Sequence, residues 1–197
     1  MSKAQLKKEL SSMTKEQIIE VVIDMYSLRK DAKEYFEYFL NPDVNRLYAK
    51  YEEKIFKELK RTKRHGYRYT SAARITNIKR SIKEFNSFGS GNEWTAKLMF
   101  TVVESALILS NSMIYTEAYC ESLASFLQDT MLEADAAGCF TLYANRILML
   151  TKLDDTGLGS TALRYFYLRA LHEIGLKTEY IDLLPPIKTP KKTLTKL

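Results

Sequence analysis

Six cations, Arg46, Lys50, Lys54, Lys57, Arg61 and Arg64, recur at steps of four, four, three, four and three residues. On a helix that spacing sets them along one face, and a row of Lys and Arg is the chemistry that meets phosphate or carboxylate. Tyr67, Arg68 and Tyr69 follow closely and add two aromatic rings beside further positive charge. Such rings stack on bases while cations hold a nucleic-acid backbone, or they anchor a protein interface. These nine residues form the candidate binding set; a solvated face with no ligand is the plainer reading of any charge run. The surroundings are lopsided, with eleven Lys or Arg and one acid, Glu58, between Lys54 and Lys83. From Leu98 to Asn145 there is no Lys or Arg, but there are Glu104, Glu117, Glu121, Asp129, Glu133 and Asp135. Opposed fields on one small molecule select partners by charge.

Other chemistries find less support. Cys120 and Cys139 have no metal-ligand neighbours and sit in apolar helical pattern, which reads as buried reduced thiols. His65 lies among cations, and His172 stands near a helix C-terminus; neither has a partner at zinc-binding spacing. The turn Asp154-Asp155-Thr156-Gly157-Leu158-Gly159 leads into a helix, as phosphate loops do. It lacks the preceding strand, the third glycine and the lysine of those loops, so an inter-helix turn capped by Ser160 is the better reading. No Ser or Cys carries the local pattern of an activated nucleophile. The expectation is a non-enzymatic protein with no catalytic residue, no metal and no cofactor.

The elements that must carry these residues are helices. The 197-residue chain has seven Gly and four Pro, and Pro42 is the sole proline before Pro185. Long breaker-free runs of Ala, Leu, Lys, Glu and Met point to an all-α fold. A short helix at Lys3–Leu10 precedes Thr14-Lys-Glu-Gln17, which has capping-box spacing. Ile18, Val22 and Met25, beside Ile19, Ile23 and Tyr26, give the next helix a broad apolar face. Val44, Tyr48, Tyr51, Ile55 and Leu59 make the apolar stripe opposite the basic ridge. Thr62–Thr70 reads as a loop, and Ser71 as the cap of a helix whose Ile75, Ile78, Ile82 and Phe85 face inward. Met99, Val102, Ala106, Leu109 and Met113, flanked by Val103 and Leu107, mark a central helix covered on most sides. Helices over Glu117–Ala137, Phe140–Leu153 and Ser160–Ile174 follow, with Gly138 and Gly175 ending two of them. No period-two alternation is sustained, so no strand is expected.

Seven to eight helices joined by short turns give an antiparallel bundle or short α-solenoid. Residues 1–184 read as a single helical domain, and 185–197, rich in Pro, Lys and Thr, as a flexible tail. A charged N-terminus without an apolar signal core, and no run of ~18–20 apolar residues, favour a soluble cytoplasmic protein with no membrane partner.

Leu6 and Leu10 followed by Thr14-Lys-Glu-Gln-Ile-Ile-Glu20 carry a resemblance, as do Tyr35-Phe-Glu-Tyr-Phe-Leu-Asn-Pro42, Ile82-Lys-Glu-Phe85 and the turn Asp155–Gly159. Across most of residues 3–175 the chain resembles an uncharacterised family of small bacterial helical proteins, a domain of unknown function. That resemblance implies an all-helical fold and brings no activity or catalytic residue. The net charge of +6 and the basic ridge then point to an interaction module that meets an acidic protein or another copy of itself. The alternative is non-specific binding of RNA or single-stranded DNA through residues 46–83.

Overall fold

The protein is described by a computed structural model over residues 2–110, 112–143, 146 and 158–178. Its named elements are α1 (Lys3–Ser12), α2 (Lys15–Leu28), α3 (Lys30–Leu40), α4 (Val44–Leu59), β1 (Thr62–His65), β2 (Arg68–Ser71), α5 (Ile75–Ser87), α6 (Asn92–Leu109), α7 (Glu117–Ala136) and α8 (Leu158–Thr178). The fold is an all-α, bundle-like scaffold carrying one small hairpin. The chain divides into two compact units, with the boundary between Val44 and Asn45.

The first unit is α1 to α3. Ser2 caps α1 by accepting the Gln5 amide at 3.2 Å. Thr14 caps α2 as its spacing predicts: its Oγ1 accepts the Gln17 amide at 3.3 Å, and Gln17 Oε1 accepts the Thr14 amide at 2.9 Å. Helix α2 packs along α3, where Tyr26 donates to Glu37 and the Lys33 ammonium lies 5.5 Å from the Tyr26 ring centre. No residue of these three helices is buried.

The second unit holds the core. Helix α6 is its spine, burying Ala96, Leu98, Met99, Phe100, Val102, Val103, Ala106 and Leu107, the pattern expected of a helix covered on most sides. Helix α7 packs against both α6 and α8, while α5 packs on α6. Three buried hydroxyls are satisfied within reach: Thr130 donates to the Phe126 carbonyl at 2.7 Å, Tyr115 to Ala106 at 2.8 Å and Tyr167 to Val103 at 3.3 Å. Helix α7 ends at Gly138, whose φ of 69° is the left-handed geometry a C-terminal glycine supplies.

Several local expectations are corrected. Residues 62–71 are a two-stranded antiparallel hairpin rather than a loop. Ser71 does not cap α5; it accepts the Ala73 amide at 3.3 Å, and α5 starts after Arg74 without a side-chain bond from its own cap residue. On α4 the buried stripe is Leu47, Tyr51, Ile55 and Leu59, with Val44 and Tyr48 half-buried. Helix α8 starts at Leu158 and runs to Thr178, so Ser160 and Gly175 lie inside it. Of the helix expected at Phe140–Leu153, only 140–143 and 146 are among the described residues, and there the backbone is helical. The glycine turn before Leu158 and the tail 185–197 lie outside the described residues. No helix among the described residues is long and apolar enough to cross a membrane.

Candidate functional site

The most exposed concentration of cations and rings is the β1–β2 hairpin. Its register pairs Thr62 with Ser71, Lys63 with Thr70, Arg64 with Tyr69 and His65 with Arg68. Gly66 and Tyr67 form the two-residue connection, and Gly66 takes φ 60°, the sign that a type II′ turn needs at its first position. An isolated two-stranded hairpin is marginal in water, and this one is held at its base. The Ala72 amide donates to the Arg61 carbonyl at 2.8 Å, the Ser71 amide to Ile114 at 2.9 Å, and the Ile114 amide to Tyr69 at 2.9 Å. Ile114, between α6 and α7, thus adds a bridge beside β2 and leaves the far edge of β1 open among the described residues.

The tip projects. Tyr67 is 101% exposed and Tyr69 54% exposed, with Lys63 and Arg64 exposed beside them. The Arg64 Nε donates to the Gly66 carbonyl at 3.2 Å, which holds the guanidinium close to the turn. A wholly solvated tyrosine ring contributes nothing to the fold by burial.

The ridge on α4 has a different character. Arg46, Lys50, Lys54 and Lys57 all lie on exposed positions of that helix, as the spacing predicts, but α4 ends at Leu59, so Arg61 follows the helix and Arg64 belongs to β1 rather than to the ridge. Carboxylates of the same chain face three of the ridge cations: Lys54 meets Glu84 of α5, Lys57 meets Glu53 at 2.7 Å, and Arg61 meets Glu58 at 3.1 Å. Lys54 also lies 5.3 Å from the Tyr51 ring centre, and Lys50 5.7 Å from it. The opposing acidic stretch is engaged too, with Lys79 on Asp129 and Arg146 on Glu104, both at 2.6 Å. The backbone places Arg68 in β2 opposite His65.

Glu58 is the residue that ties ridge to hairpin. Its carboxylate accepts the Arg74 amide at 2.9 Å, the Asn77 side-chain amide at 3.2 Å and the Arg61 guanidinium at 3.1 Å. It therefore caps α5 from a distance, where a negative charge also suits the helix dipole. Burial works to raise this carboxyl, but the three bonds outweigh it and hold the group below the usual carboxylate range. The sequence shows Glu58 as the lone acid in a basic run, three residues from Arg61; Arg74 and Asn77 lie sixteen and nineteen residues away, beyond the reach of local pattern. Gly66 was the available signal for the hairpin, a single glycine amid Thr, Tyr and long polar residues.

The two cysteines sit in surroundings that disfavour the thiolate. Burial pushes the Cys120 thiol up to about 11 and raises Cys139 as well, which suppresses the reactive thiolate. Burial likewise pushes the Tyr119 and Tyr143 phenols up to about 12. A groove of about 290 Å³ runs beside α4 and α6, lined by Glu52, Glu53, Phe56, Leu98, Thr101 and Ser105 among others. A hydrogen bond from Lys57 draws the Glu53 carboxyl below its ordinary value. Among the described residues no three His, Cys, Asp or Glu side chains form a group able to hold a metal.

No curated protein and no solved structure matches the chain. A family of unknown function, DUF6155, matches residues 1–156, and the chain belongs to that family.

Proposed function

We propose that the protein is a non-enzymatic interaction module whose β1–β2 hairpin engages an acidic protein partner. The observation that carries this reading is the fully solvated Tyr67 at a turn whose base is hydrogen-bonded, with Lys63 and Arg64 exposed on the strand before it. Tyr and Arg dominate the energetics of protein interfaces, and a tyrosine ring orders with little entropy cost. The α4 ridge supports the hairpin by its field. Its ion pairs with Glu53 and Glu84 are exposed, so an acidic partner can exchange with them at small cost.

The same tip favours a second reading, because a solvated ring between cations also suits a base stacked over a held phosphate. One titration separates the two. Binding of a polyglutamate peptide and of an oligo-dT strand is measured at low and moderate salt, with native protein and with the double variant Arg64→Glu, Tyr67→Ala. The proposal expects polyglutamate to bind at low salt and the variant to weaken it by ~10-fold or more. Preferential binding of oligo-dT, with log affinity falling linearly with log salt, would establish nucleic-acid binding instead. Binding of neither at low salt sinks both.

A further inference from the structure

We propose that the α2–α3 hairpin is a homodimerisation element that closes into a four-helix bundle with the same hairpin of a second copy. The starting point is α2, where Ile18, Ile19, Val21, Val22, Ile23, Met25, Tyr26 and Leu28 occupy eight of fourteen positions. Apolar side chains spread that far around a helix require cover on more than one side. Helix α3 supplies one side, and Ile18 and Val22 are correspondingly half-buried. Ile19, Val21, Ile23, Met25 and Leu28 remain exposed, as do Tyr35, Phe39 and Leu40 of α3, Leu28 at 79% and Leu40 at 70%.

The area fits a particular occupant. At ~100 Å² for a fully exposed aliphatic side chain and ~200 Å² for an aromatic, the exposed parts of these eight residues present on the order of 500 Å² of apolar surface. A standard interface takes about 800 Å² from each partner, roughly 65% of it apolar between identical subunits, which is the same quantity. A two-fold interface uses one patch twice, so a patch of that size suffices on each copy. Two hairpins brought together are a four-helix bundle, the arrangement in which such faces are ordinarily buried.

Charge separates this occupant from the others. Residues 1–44 hold seven Lys or Arg and eight Asp or Glu, so two copies do not repel. The rest of the chain keeps the remaining 23 of 30 cations and 16 of 24 acids, which places the positive excess outside the hairpin. The polar positions of α2 are led by Glu16, Glu20 and Asp24 against Lys15, the wrong sign for an anionic lipid surface or for nucleic acid.

The test is the mass of the full-length protein by sedimentation equilibrium, at rising concentration and at both low and high salt. The expected result is a dimer that persists in high salt, since its interface is apolar rather than ionic. The double variant Ile23→Glu, Phe39→Glu should raise the dissociation constant at least ~100-fold, and the gentler Leu28→Ser, at the most exposed position, ~10-fold. Arg64→Glu in the β-hairpin should leave it unchanged. A native chain that stays monomeric up to ~100 μM overturns the proposal. A dimer that ignores both helix variants, or that dissolves in salt, overturns it equally. Persistence in salt also keeps this outcome distinct from failure of the cationic β-hairpin to bind its ligand.

Discussion

Phe39 and Phe85 are the same side chain in opposite circumstances. Phe85 of α5 is wholly buried, with its ring set edge-on to Tyr51 at 5.6 Å between centres. Phe39 of α3 is 65% exposed, and its ring stacks on Tyr35 at 6.4 Å without cover beyond. The contrast extends to the units that contain them. The second unit holds a buried apolar core, whereas no residue of α1, α2 or α3 is buried. Exposed aromatic and aliphatic side chains at that density stabilise nothing until something covers them. Burial therefore belongs to the second unit, and the first leaves its apolar side chains open to solvent.

The largest expected effect tests that division. Phe85→Ala should cost ~3–5 kcal/mol in urea unfolding, the lost transfer energy plus the cavity left behind. Phe39→Ala, measured in protein too dilute to associate, should cost under ~1 kcal/mol. Equal costs would break the comparison, because they would mean that Phe39 is covered in the isolated chain.

The next effect concerns how the second unit joins α4 to α5. Glu58→Gln removes the charge that three donors share and should cost ~1.5–3 kcal/mol near neutral pH. The sign follows from the depressed carboxyl. A folded-state pKa below the unfolded value contributes stability that is complete above ~4.3, and that stability fades as pH falls through the folded value. The urea midpoints of native and variant protein should thus converge as the pH is lowered below that of an ordinary glutamate. A gap that stays constant down to strongly acidic pH would show that the carboxylate charge is not what stabilises this corner.

How much of this was legible in advance divides along the same lines. Features set by neighbours within one helical turn could be read: the Thr14 capping box, the inward face of Ile78, Ile82 and Phe85, and the glycine that ends α7. The helical scaffold follows from such features summed. The hairpin escaped because its strands have no apolar alternation to reveal them, and its base is held by Ile114, some forty residues away. The ridge was read correctly at Arg46, Lys50, Lys54 and Lys57, but α4 ends at Leu59, so Arg61 and Arg64 leave the helix, and the pair of Lys54 depends on Glu84, thirty residues away, which no periodicity can locate.

Gly66→Ala probes the hairpin with a smaller effect. A Cβ at that position meets nothing within 4 Å, so the whole cost is the left-handed backbone, at ~1–2 kcal/mol. The expected readout is local: faster amide exchange at Ser71 and Ile114, whose amides close the bridge beneath the turn. Unchanged exchange at both would show that the bridge holds without the turn, and Tyr67 would then project from a flexible tip.

The smallest effect returns to the first unit. Thr14→Ala removes one side of the capping box and should cost α2 ~0.5–1 kcal/mol. In a helix with a buried face that loss would be masked by packing, but α2 buries no residue, so its first turn depends more heavily on the cap. Loss of far-UV helical signal and faster exchange of the Gln17 amide should appear in dilute protein and diminish as concentration rises, because association would restore the packing that the cap had replaced. Helicity that is insensitive to Thr14 at every dilution would mean that α2 already has its cover within one chain.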